Sequence, residues 1–367
     1  MKILHINHSI LIGGTERVIC GLINEQSKRN DVTLCTWYAP KPGEGLETRV
    51  SNRVKRVSLY NEKMDFLTKL KDEFKLYKLI KKGGYNVVHV HNNFNFYILS
   101  VLLLKRRVRF FYTIHSDAVR ENGPLSSKTL KIKQLFFRKK WFVPITISPQ
   151  SQQSFENLYH CDSYMQVNGI DTPKIKENAL LLEKYRITKN TRIFVHVGRI
   201  CVAKNQEVLC KVFKKLIKEG DDVVLLIIGP REIESIWETI KEYFSDRICY
   251  LGSRDDAISF LSMADGMCLP SIYEGLPITL LESLAVGCVP ICSPVGGIPS
   301  VIEDGYNGFL SESSSEEAYY NAMKRFLGLP WKTIESMKAN GQKTFENYDI
   351  SKVAIGYENI YLKELSK

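Results

Sequence analysis

The sequence predicts an α/β protein with two Rossmann-like domains, each built on a doubly wound parallel sheet. Strand and helix patterns alternate along the whole 367-residue chain, and such alternation is typical of parallel sheets. The alternation starts again near Arg192, and the length also favours two domains over one. A hydrophobic content of 44% and an aromatic content of 11% allow each half a core of ordinary size.

The first half contains five strand patterns and one clear helix. The strands are KILHIN, DVTLCTW, YNVVHVHN, RRVRFFYTIHS and WFVPITISPQS. After the first strand, GGTERVICGLINEQSKR opens with glycines and then repeats apolar residues at helical spacing. Several of these strands end in polar residues, which we expect at the ligand-binding edge of a parallel sheet.

The second half repeats the arrangement. The strand TRIFVHVGRI precedes the helix KNQEVLCKVFKKLIKEG, and the strands DVVLLIIGP, RICYLGS, ADGMCLPS and CVPICSPV follow. A cluster of Gly, Asp and Pro at 168–175 marks the boundary. We therefore expect a first domain over 1–170, a second over 171–348 and a terminal helix over 349–367. Two facing sheets of this kind would leave a cleft between them.

Composition argues against several classes of protein. The nine cysteines contain no C-x-x-C pair, which fits a reducing cytoplasm and disfavours a disulfide framework or a zinc site. No D-x-D triplet is present, so a bound divalent metal is not implied. The first residues do not resemble a signal peptide, and no run reaches the roughly 18 apolar residues of a spanning helix.

Positive charge is concentrated in the first half. Residues 1–170 hold 27 Lys and Arg against 13 Asp and Glu, which favours an anionic surface or polymer as a partner. The segment 128–144 mixes six cations with apolar and aromatic residues. This composition suits an amphipathic helix at an anionic membrane, a nucleic-acid contact, or a core-packed helix with a basic outer face. The candidate basic face comprises Lys105, Arg106, Arg107, Lys131, Lys133, Arg138, Lys139 and Lys140.

The segment SIYEGLPITLLESLAVG, residues 271–287, carries two acids separated by seven residues. Glu274 lies in a loop, where Gly275 permits a tight turn and Pro277 suits the start of a helix. The N-terminus of that helix would attract a phosphate, and Glu282 in its second turn could bind two ribose hydroxyls. The alternative is an acid that favours the helix dipole, followed by a solvated glutamate.

Three other motifs lie where strands end. Arg199 and Lys204 follow the first strand of the second half and could clamp a diphosphate, although a solvated pair is the alternative. The motif GGTE, residues 13–16, allows close approach of a ligand. His115 in TIHS could bond a sugar hydroxyl or lie in the core. His89 and His91 share one face of a strand but lack a third metal ligand, so we interpret them as structural or cleft-lining.

Taken together, these motifs resemble the retaining, nucleotide-sugar-dependent glycosyltransferases of family 4, which have the GT-B fold. The resemblance rests on GGTE, TIHS, NGID, GRICVAKN and the segment 270–310, and it is strongest over residues 192–310. The chain departs from the family in one turn, where GPRE replaces the frequent G-x-G-P. It also carries Ser116 and Asp117 after His115, so the details of the sugar pocket stay open.

The resemblance implies a metal-independent hexosyltransferase that retains anomeric configuration and uses a nucleoside diphosphate sugar as substrate, without a cofactor. Arg199 and Lys204 would bind the diphosphate, and Glu282 the ribose. The remaining implied roles are donor-sugar binding by Glu274, Gly275 and Leu276, phosphate approach at Gly14, sugar contact by His115 and nucleobase contact near Arg254. The terminal helix would cross back to the first, acceptor-binding domain.

The resemblance also implies partners and a place in the cell. We expect transfer to a glycan or lipid-linked acceptor in polysaccharide or lipopolysaccharide synthesis, at the cytoplasmic face of the plasma membrane and without nucleic acid. A GT-B-like nucleotide-sugar epimerase and a non-catalytic module for anionic polymers are the alternatives. A Rossmann-type oxidoreductase is disfavoured because no G-x-G-x-x-G follows a strand.

Overall fold

The computed structural model describes most of the chain and divides it into two compact units. It describes residues 1–11, 13–38, 45–60, 66–92, 94, 97–122, 127–175 and 181–367. The first unit comprises Met1–Asp171 together with Tyr348–Lys367, and the second comprises Thr172–Asn347. None of the helices in the described ranges is long and apolar enough to span a bilayer.

The first unit is built on a seven-stranded parallel sheet. Its strands are β1 (Lys2–Asn7), β2 (Asp31–Tyr38), β3 (Lys55–Tyr60), β4 (Val87–Val90), β5 (Arg109–Ile114), β6 (Val143–Thr146) and β7 (Tyr164–Met165). Their spatial order is β3-β2-β1-β4-β5-β6-β7. The order reverses between β1 and β4, and ligands of open α/β sheets bind at this kind of switch point, outside the carboxyl ends of the strands.

Helices follow most strands of the first unit. They are α1 (Gly14–Gln26), α2 (Phe66–Gly83), α3 (Ile98–Leu104), α4 (Ala118–Asn122), α5 (Ser127–Arg138) and α6 (Pro149–Tyr159). The α6 helix begins with a capping box, in which Ser148 and Ser151 satisfy each other's backbone N–H groups, followed by Pro149 at the first turn. An aromatic cluster that includes Phe94, Phe136 and Phe142 packs against one face of the sheet.

The second unit repeats this plan on a six-stranded sheet. Its strands are β8 (Arg192–Val197), β9 (Val223–Ile228), β10 (Ile248–Tyr250), β11 (Gly266–Leu269), β12 (Val289–Cys292) and β13 (Phe309–Leu310). The order β10-β9-β8-β11-β12-β13 again reverses beside the first strand. All six residues of β9 are buried, as expected of a central parallel strand covered on both faces.

The helices of the second unit are α7 (Gln206–Lys218), α8 (Glu234–Lys241), α9 (Ala257–Met263), α10 (Ile278–Ala285), α11 (Glu316–Leu327) and α12 (Trp331–Phe345). The α7 helix stops just before Gly220, whose φ of +93° suits glycine. Two parallel α/β sheets were the predicted fold class, and the structure confirms both of them.

The last helix, α13 (Ile350–Leu365), belongs to the first unit. Its apolar face, with Val353, Tyr357 and Tyr361, packs against Ile3 and Phe111 of the first sheet. This helix therefore covers the face of that sheet opposite the aromatic cluster of Phe94. The cysteines Cys288 and Cys292 are buried at β12, and all nine cysteines are free thiols.

Candidate active site

Lys204 and Glu274 form an ion pair in the second unit, although 69 residues separate them in the chain. Lys204 lies in a 3-10 turn after β8, and Glu274 lies in the loop between β11 and α10. The Nζ atom of Lys204 is 2.6 Å from Oε1 of Glu274, and Ser271 donates a hydrogen bond of 2.7 Å to the same oxygen. The two charged side chains are only 15% and 12% exposed. The structure thus brings a cation and an acid from separate motifs into one shielded cluster.

Glycine makes the loop beneath Glu274 possible. Gly296 has a φ of +59°, and a Cβ atom at this position would overlap the carbonyl oxygen of Glu274. Gly297 donates a backbone hydrogen bond to the carbonyl of Gly275, which joins the same two loops. Close backbone packing therefore fixes the position of Glu274, and only glycine allows it.

Glu282 is a buried residue of α10. Its relative exposure is 3%, which excludes the alternative of a solvated helix glutamate. A buried carboxylate is costly unless it has a partner. Pro277 precedes the first turn of the helix, as the sequence suggested for a helix start here. Thr279 Oγ1, at the start of α10, is a buried hydroxyl with no hydrogen-bond partner among the described residues, and the same holds for Ser293 Oγ just after β12. The segment therefore offers one unused hydroxyl, that of Thr279, at a helix N-terminus.

Arg199 and Arg254 are both held by acids of the second unit. Arg199 pairs with Glu232 at 2.7 Å, and both side chains are exposed. Glu232 belongs to GPRE, the turn in which this chain departs from the family pattern, and sequence reasoning gave it no role. Arg254 makes two hydrogen bonds of 2.7 and 2.8 Å to Asp256 and lies over the ring of Phe260. An exposed pair such as Arg199–Glu232 contributes little stability, so Arg199 can exchange its partner at low cost.

The other second-unit residues named from the sequence lie in the loop that carries Glu274. Gly275 and Leu276 follow Glu274 directly, and Leu276 is buried while Gly275 is partly exposed. In the first unit, Gly14 is the exposed first residue of α1, and Gly13 caps that helix without a side-chain hydrogen bond. At these positions, backbone groups are available at the starts of two helices, α10 and α1.

His115 follows β5 in the first unit and belongs to a chain of hydrogen-bonded side chains. His115 Nε2 lies 3.2 Å from His91 Nδ1, His91 Nε2 lies 3.0 Å from His5 Nδ1, and His5 Nε2 lies 2.8 Å from Gln26 Oε1. Burial lowers the pKa of His5 and of His115 to about 4, and it lowers the pKa of His91 well below its usual value. These histidines are therefore neutral at pH 7.

His89 lies beside this chain with separate partners. Its ring nitrogens are 2.6 Å from the Tyr361 hydroxyl and 2.7 Å from Thr113 Oγ1. The sequence had suggested no third partner for His89 and His91 at a metal site, but the structure supplies His5. Ligand atoms of the three residues lie within 4.8 Å of one another, although every ring nitrogen of this trio already faces a hydrogen-bonding group. The interpretation of His89 and His91 as structural residues agrees with these contacts.

An acid of the first unit, Glu121, contacts the segment around His115. Tyr112 donates a 2.9 Å hydrogen bond to Oε1 of Glu121, and the backbone N–H of His115 donates to Oε2 at 3.1 Å. Burial raises the pKa of the Glu121 carboxyl to about 7. Sequence reasoning missed Glu121, because it lies six residues beyond His115 in a short helix with no recognisable motif.

Most of the candidate basic face is exposed at α5 and at the end of α3. Arg106, Arg107, Lys131, Arg138, Lys139 and Lys140 are exposed, and Lys105 lies 3.2 Å above the ring of Trp141. Large apolar side chains are exposed on the same two helices, namely Leu102, Leu103, Ile132 and Leu135. Lys133 departs from the prediction of a surface cation, since it is only 7% exposed. It packs over the ring of Phe94, and burial lowers its pKa while Glu121 raises it.

An open pocket of about 440 Å³ lies between α4 and α6 of the first unit. Most of its lining residues carry polar side chains, and they include Asp117, two residues beyond His115. The remaining lining residues are Val119, Gln150, Gln153, Ser154, Asn157 and Leu158. Carboxylate, amide and hydroxyl groups of this kind suit a ligand that is rich in hydroxyls.

Comparison with known protein families places the chain among glycosyltransferases. Residues 12–174 match the Glycosyltransferase Family 4 model, and residues 178–344 match the model for Glycosyl transferases group 1. The chain belongs to this family of group 1, family 4 glycosyltransferases, and it is therefore a glycosyltransferase enzyme.

Individual relatives give the same result. The chain is 26% identical over 345 residues to an Escherichia coli UDP-Gal:alpha-D-GlcNAc-diphosphoundecaprenol alpha-1,3-galactosyltransferase, covering 89% of this chain and 87% of the relative. It is 25% identical to N-acetyl-alpha-D-glucosaminyl L-malate synthase of Bacillus anthracis, covering 78% of this chain and 77% of that protein. These relatives span both units of the chain.

Solved structures of low sequence identity share the fold. Anabaena HepE in complex with UDP and glucose superposes with a TM-score of 0.79 at 18% identity, covering 99% of this chain and 100% of that chain. Sucrose-phosphate synthase of Thermosynechococcus elongatus also gives 0.79 at 18% identity, covering 100% and 99%. Together with the two parallel sheets, these likenesses confirm the predicted GT-B fold class.

Proposed function

We propose that this enzyme transfers a hexose from a nucleoside diphosphate sugar, with retention of anomeric configuration and without a metal ion. The observation that carries the proposal is the shielded cluster of Lys204, Glu274 and Ser271 beside the start of α10. It supplies a cation and hydrogen-bonding groups at the carboxyl ends of β8 and β11, where ligands of such sheets bind.

Charge stabilisation is the main task of this site in the proposal. Arg199 and Lys204 bind the diphosphate and offset the negative charge that develops as the nucleotide departs. Thr279 and the N-terminus of α10 supply further hydrogen-bond donors to a phosphate. In the proposal, these two cations take the role that a divalent metal has at other diphosphate sites. We therefore expect full activity in excess EDTA.

The acids of the segment recognise the donor in this proposal. Glu282 accepts hydrogen bonds from the ribose hydroxyls, and Glu274 holds the donor sugar together with the backbone of Gly275 and Leu276. Arg254 contributes to the nucleobase pocket. His115 is the proposed contact of the first unit with the transferred sugar. Two similarities support a nucleotide donor: HepE binds UDP and glucose, and the E. coli relative is named for a UDP-Gal donor.

Retention follows in the proposal from attack by the acceptor on the face that the nucleotide leaves. The enzyme then needs no protein nucleophile, and its contribution is to position the reactants and stabilise charge. Proton NMR of the product formed from an α-linked donor tests this directly. An α-linked product supports retention, whereas a β-linked product contradicts it.

The first experiment is thermal stabilisation by UDP, GDP and their sugar conjugates in the presence of EDTA. We expect one base to raise the melting temperature, because a ligand of the native state stabilises it by mass action. Glu282→Gln should abolish this increase. Glu317→Gln, which changes an exposed glutamate of α11, is the matched control and should keep it. An absence of stabilisation by every nucleotide would contradict the donor-site proposal.

For the acceptor, we propose a glycan or lipid-linked sugar at an anionic membrane surface, in polysaccharide or lipopolysaccharide synthesis on the cytoplasmic side. Exposed leucines among exposed cations on α3 and α5 support this, since such faces bind anionic interfaces through apolar burial and charge together. The names of relatives support the acceptor class, because the E. coli enzyme acts on a diphosphoundecaprenol-linked sugar. Family membership does not favour an epimerase or a non-catalytic module.

Vesicle sedimentation tests the membrane part of the proposal. The wild type should sediment with vesicles that contain phosphatidylglycerol and stay in solution with phosphatidylcholine alone. Changing Arg138, Lys139 and Lys140 together to Gln should weaken binding. The control changes Lys211, Lys214 and Lys218 of α7 to Gln, which removes equal charge from the second unit. Equal losses in the two triple variants would contradict a dedicated surface.

A further inference from the structure

The histidine chain of the first unit has a direction that its terminal amide imposes. Gln26 ends α1 and is fully buried, and its Oε1 atom faces Nε2 of His5 at 2.8 Å. An amide oxygen only accepts hydrogen bonds, so Nε2 of His5 carries the proton. A neutral imidazole has one N–H group, and Nδ1 of His5 is therefore an acceptor.

The same reasoning passes along the chain one ring at a time. Because Nδ1 of His5 accepts, Nε2 of His91, at 3.0 Å, must donate. Nδ1 of His91 is then an acceptor, and Nε2 of His115, at 3.2 Å, donates to it. Three successive rings thus adopt the tautomer that is protonated at Nε2. Neutrality holds for all three, since burial lowers each pKa below neutral pH.

The chain ends at an atom without a partner. Nδ1 of His115 is buried and meets no hydrogen-bonding group among the described residues. In the opposite direction this atom would carry a buried proton with no acceptor, whereas in the direction described the buried donor without a partner among the described residues is Nε2 of Gln26. Both directions leave one such donor, so the direction of the histidine chain depends on the orientation of the Gln26 amide, whose Oε1 atom faces His5.

We propose that Gln26, His5 and His91 are positioning residues that fix His115 in the Nε2-protonated tautomer, so that its Nδ1 atom accepts a hydrogen bond from a ligand hydroxyl. The identification of this hydroxyl as one of the donor sugar rests on the proposed function. The tautomer itself does not, because it follows from contacts within the first unit alone.

The neighbouring hydrogen bonds show why this chain acts separately from the rest of the cluster. His89 lies 4.2 Å from the ring centre of His91, yet its nitrogens face Tyr361 and Thr113 instead of the chain. A change at Thr113 therefore disturbs a buried histidine without altering the direction of the chain. Gln26 and Thr113 thus form a matched pair, since each provides a hydrogen-bond partner to one buried histidine.

Nitrogen-15 NMR of histidine-labelled protein at pH 7 tests the proposal without any transfer reaction. His115→Gln assigns the signals of His115 by their loss. In the wild type we expect His115 to show a protonated Nε2 and an unprotonated Nδ1. Gln26→Met, which keeps the side-chain volume but removes the acceptor, should allow His115 to populate the Nδ1-protonated form. Thr113→Val should alter the His89 signals and leave those of His115 unchanged.

Two results would overturn the proposal. The first is a wild-type His115 protonated at Nδ1, and the second is a His115 tautomer that Gln26→Met leaves unchanged. The ligand contact is tested separately by titration with UDP-galactose and GDP-mannose. A donor that raises the melting temperature should also shift the Nδ1 signal of His115. Stabilisation without that shift would refute the contact, whereas absence of any stabilisation would instead count against the donor-site proposal.

Discussion

At the scale of single residues, Lys204 and Glu274 show how a binding site can be held together before a ligand is considered. The two side chains are mostly shielded from water, and each offsets the charge of the other. Removing one partner of such a pair leaves a poorly solvated charge behind, which costs more than the pair contributes. The pair is therefore both a structural element of the second unit and its proposed diphosphate contact.

Lys204→Met should reduce both activity and stability. We expect kcat/KM to fall on the order of 100-fold, the usual effect of removing one stabilising group from a charged transition state. The free energy of unfolding should fall by about 2 kcal/mol, since Glu274 loses its cation. Steady-state kinetics and urea unfolding measure the two effects. Lys324→Met, which breaks the exposed pair with Asp221, should change neither by much, and an equal loss of activity there would contradict the assignment.

Glu121 should make the first unit less stable as the pH rises. Its pKa is raised from the ordinary value of 4.5 to about 7, so the native state favours the protonated carboxyl. This contribution is complete below pH 4.5 and is lost as the pH rises to 7. Relative to Glu121→Gln, which does not titrate, the wild type should lose about 2 kcal/mol between pH 5 and pH 7.5.

Urea unfolding of both proteins across this pH range measures the difference. Glu317→Gln, a change at an exposed glutamate of the second unit, provides the control, and its stability should stay parallel to that of the wild type. A constant difference between the wild type and Glu121→Gln at every pH would show that the carboxyl titrates at an ordinary value.

At the scale of elements, the loops around α10 depend on backbone proximity as much as on side chains. Gly296 and Gly305 both adopt left-handed backbone, with φ of +59° and +79°, yet their surroundings differ. A Cβ atom at Gly296 would overlap the backbone of Glu274, whereas one at Gly305 would meet nothing within 4 Å. The two glycines therefore separate the effect of strain from the effect of a steric clash.

Gly296→Ala should lower stability and donor binding together. Left-handed backbone costs a non-glycine residue about 1 kcal/mol, and the clash must also displace the loop that carries Glu274. Gly305→Ala should show the first cost alone and retain nucleotide binding. Chemical denaturation and the thermal response to UDP and GDP measure both effects. Identical behaviour of the two variants would contradict a role for close packing at Gly296.

At the scale of the whole molecule, the buried histidines are unequally divided. The first unit contains His5, His89, His91 and His115, and burial lowers the pKa of each, whereas the second unit contains His196, with a pKa of about 4. A histidine with a lowered pKa contributes stability above pH 6.5 that is lost as the pH falls toward 4. Acid should therefore weaken the first unit more than the second.

Hydrogen exchange with mass spectrometry at pH 7 and pH 5 tests this expectation unit by unit. Each neutral histidine contributes at most about 1.4 kcal/mol per pH unit in this window. Protection in β1, β4 and β5 should fall by more than protection in β8 and β9, after correction for the intrinsic exchange rate. The second unit is the internal control, and equal losses in both units would contradict the expectation.

The sequence by itself determined the features that depend on neighbours in the chain. Strand and helix periodicity gave two parallel α/β domains, and the spacing around Pro277 indicated the helix that carries Glu282. Such patterns are local, because burial on one face repeats with the period of the element itself. The segment 55–60 was missed as a strand. KRVSLY begins with two adjacent cations, so it does not show the clear apolar pattern by which a strand such as β3 is recognised.

Only the tertiary structure decided which distant residues meet. His5 lies beside His89 because β1 pairs with β4 in parallel register, and 83 residues lie between them in the chain. The same long-range packing buried Lys133, paired Glu232 with Arg199 and connected Gln26 to His115 through two rings. These contacts depend on strand order and register, which one sequence does not specify, because many segments with similar local patterns can pair with one another.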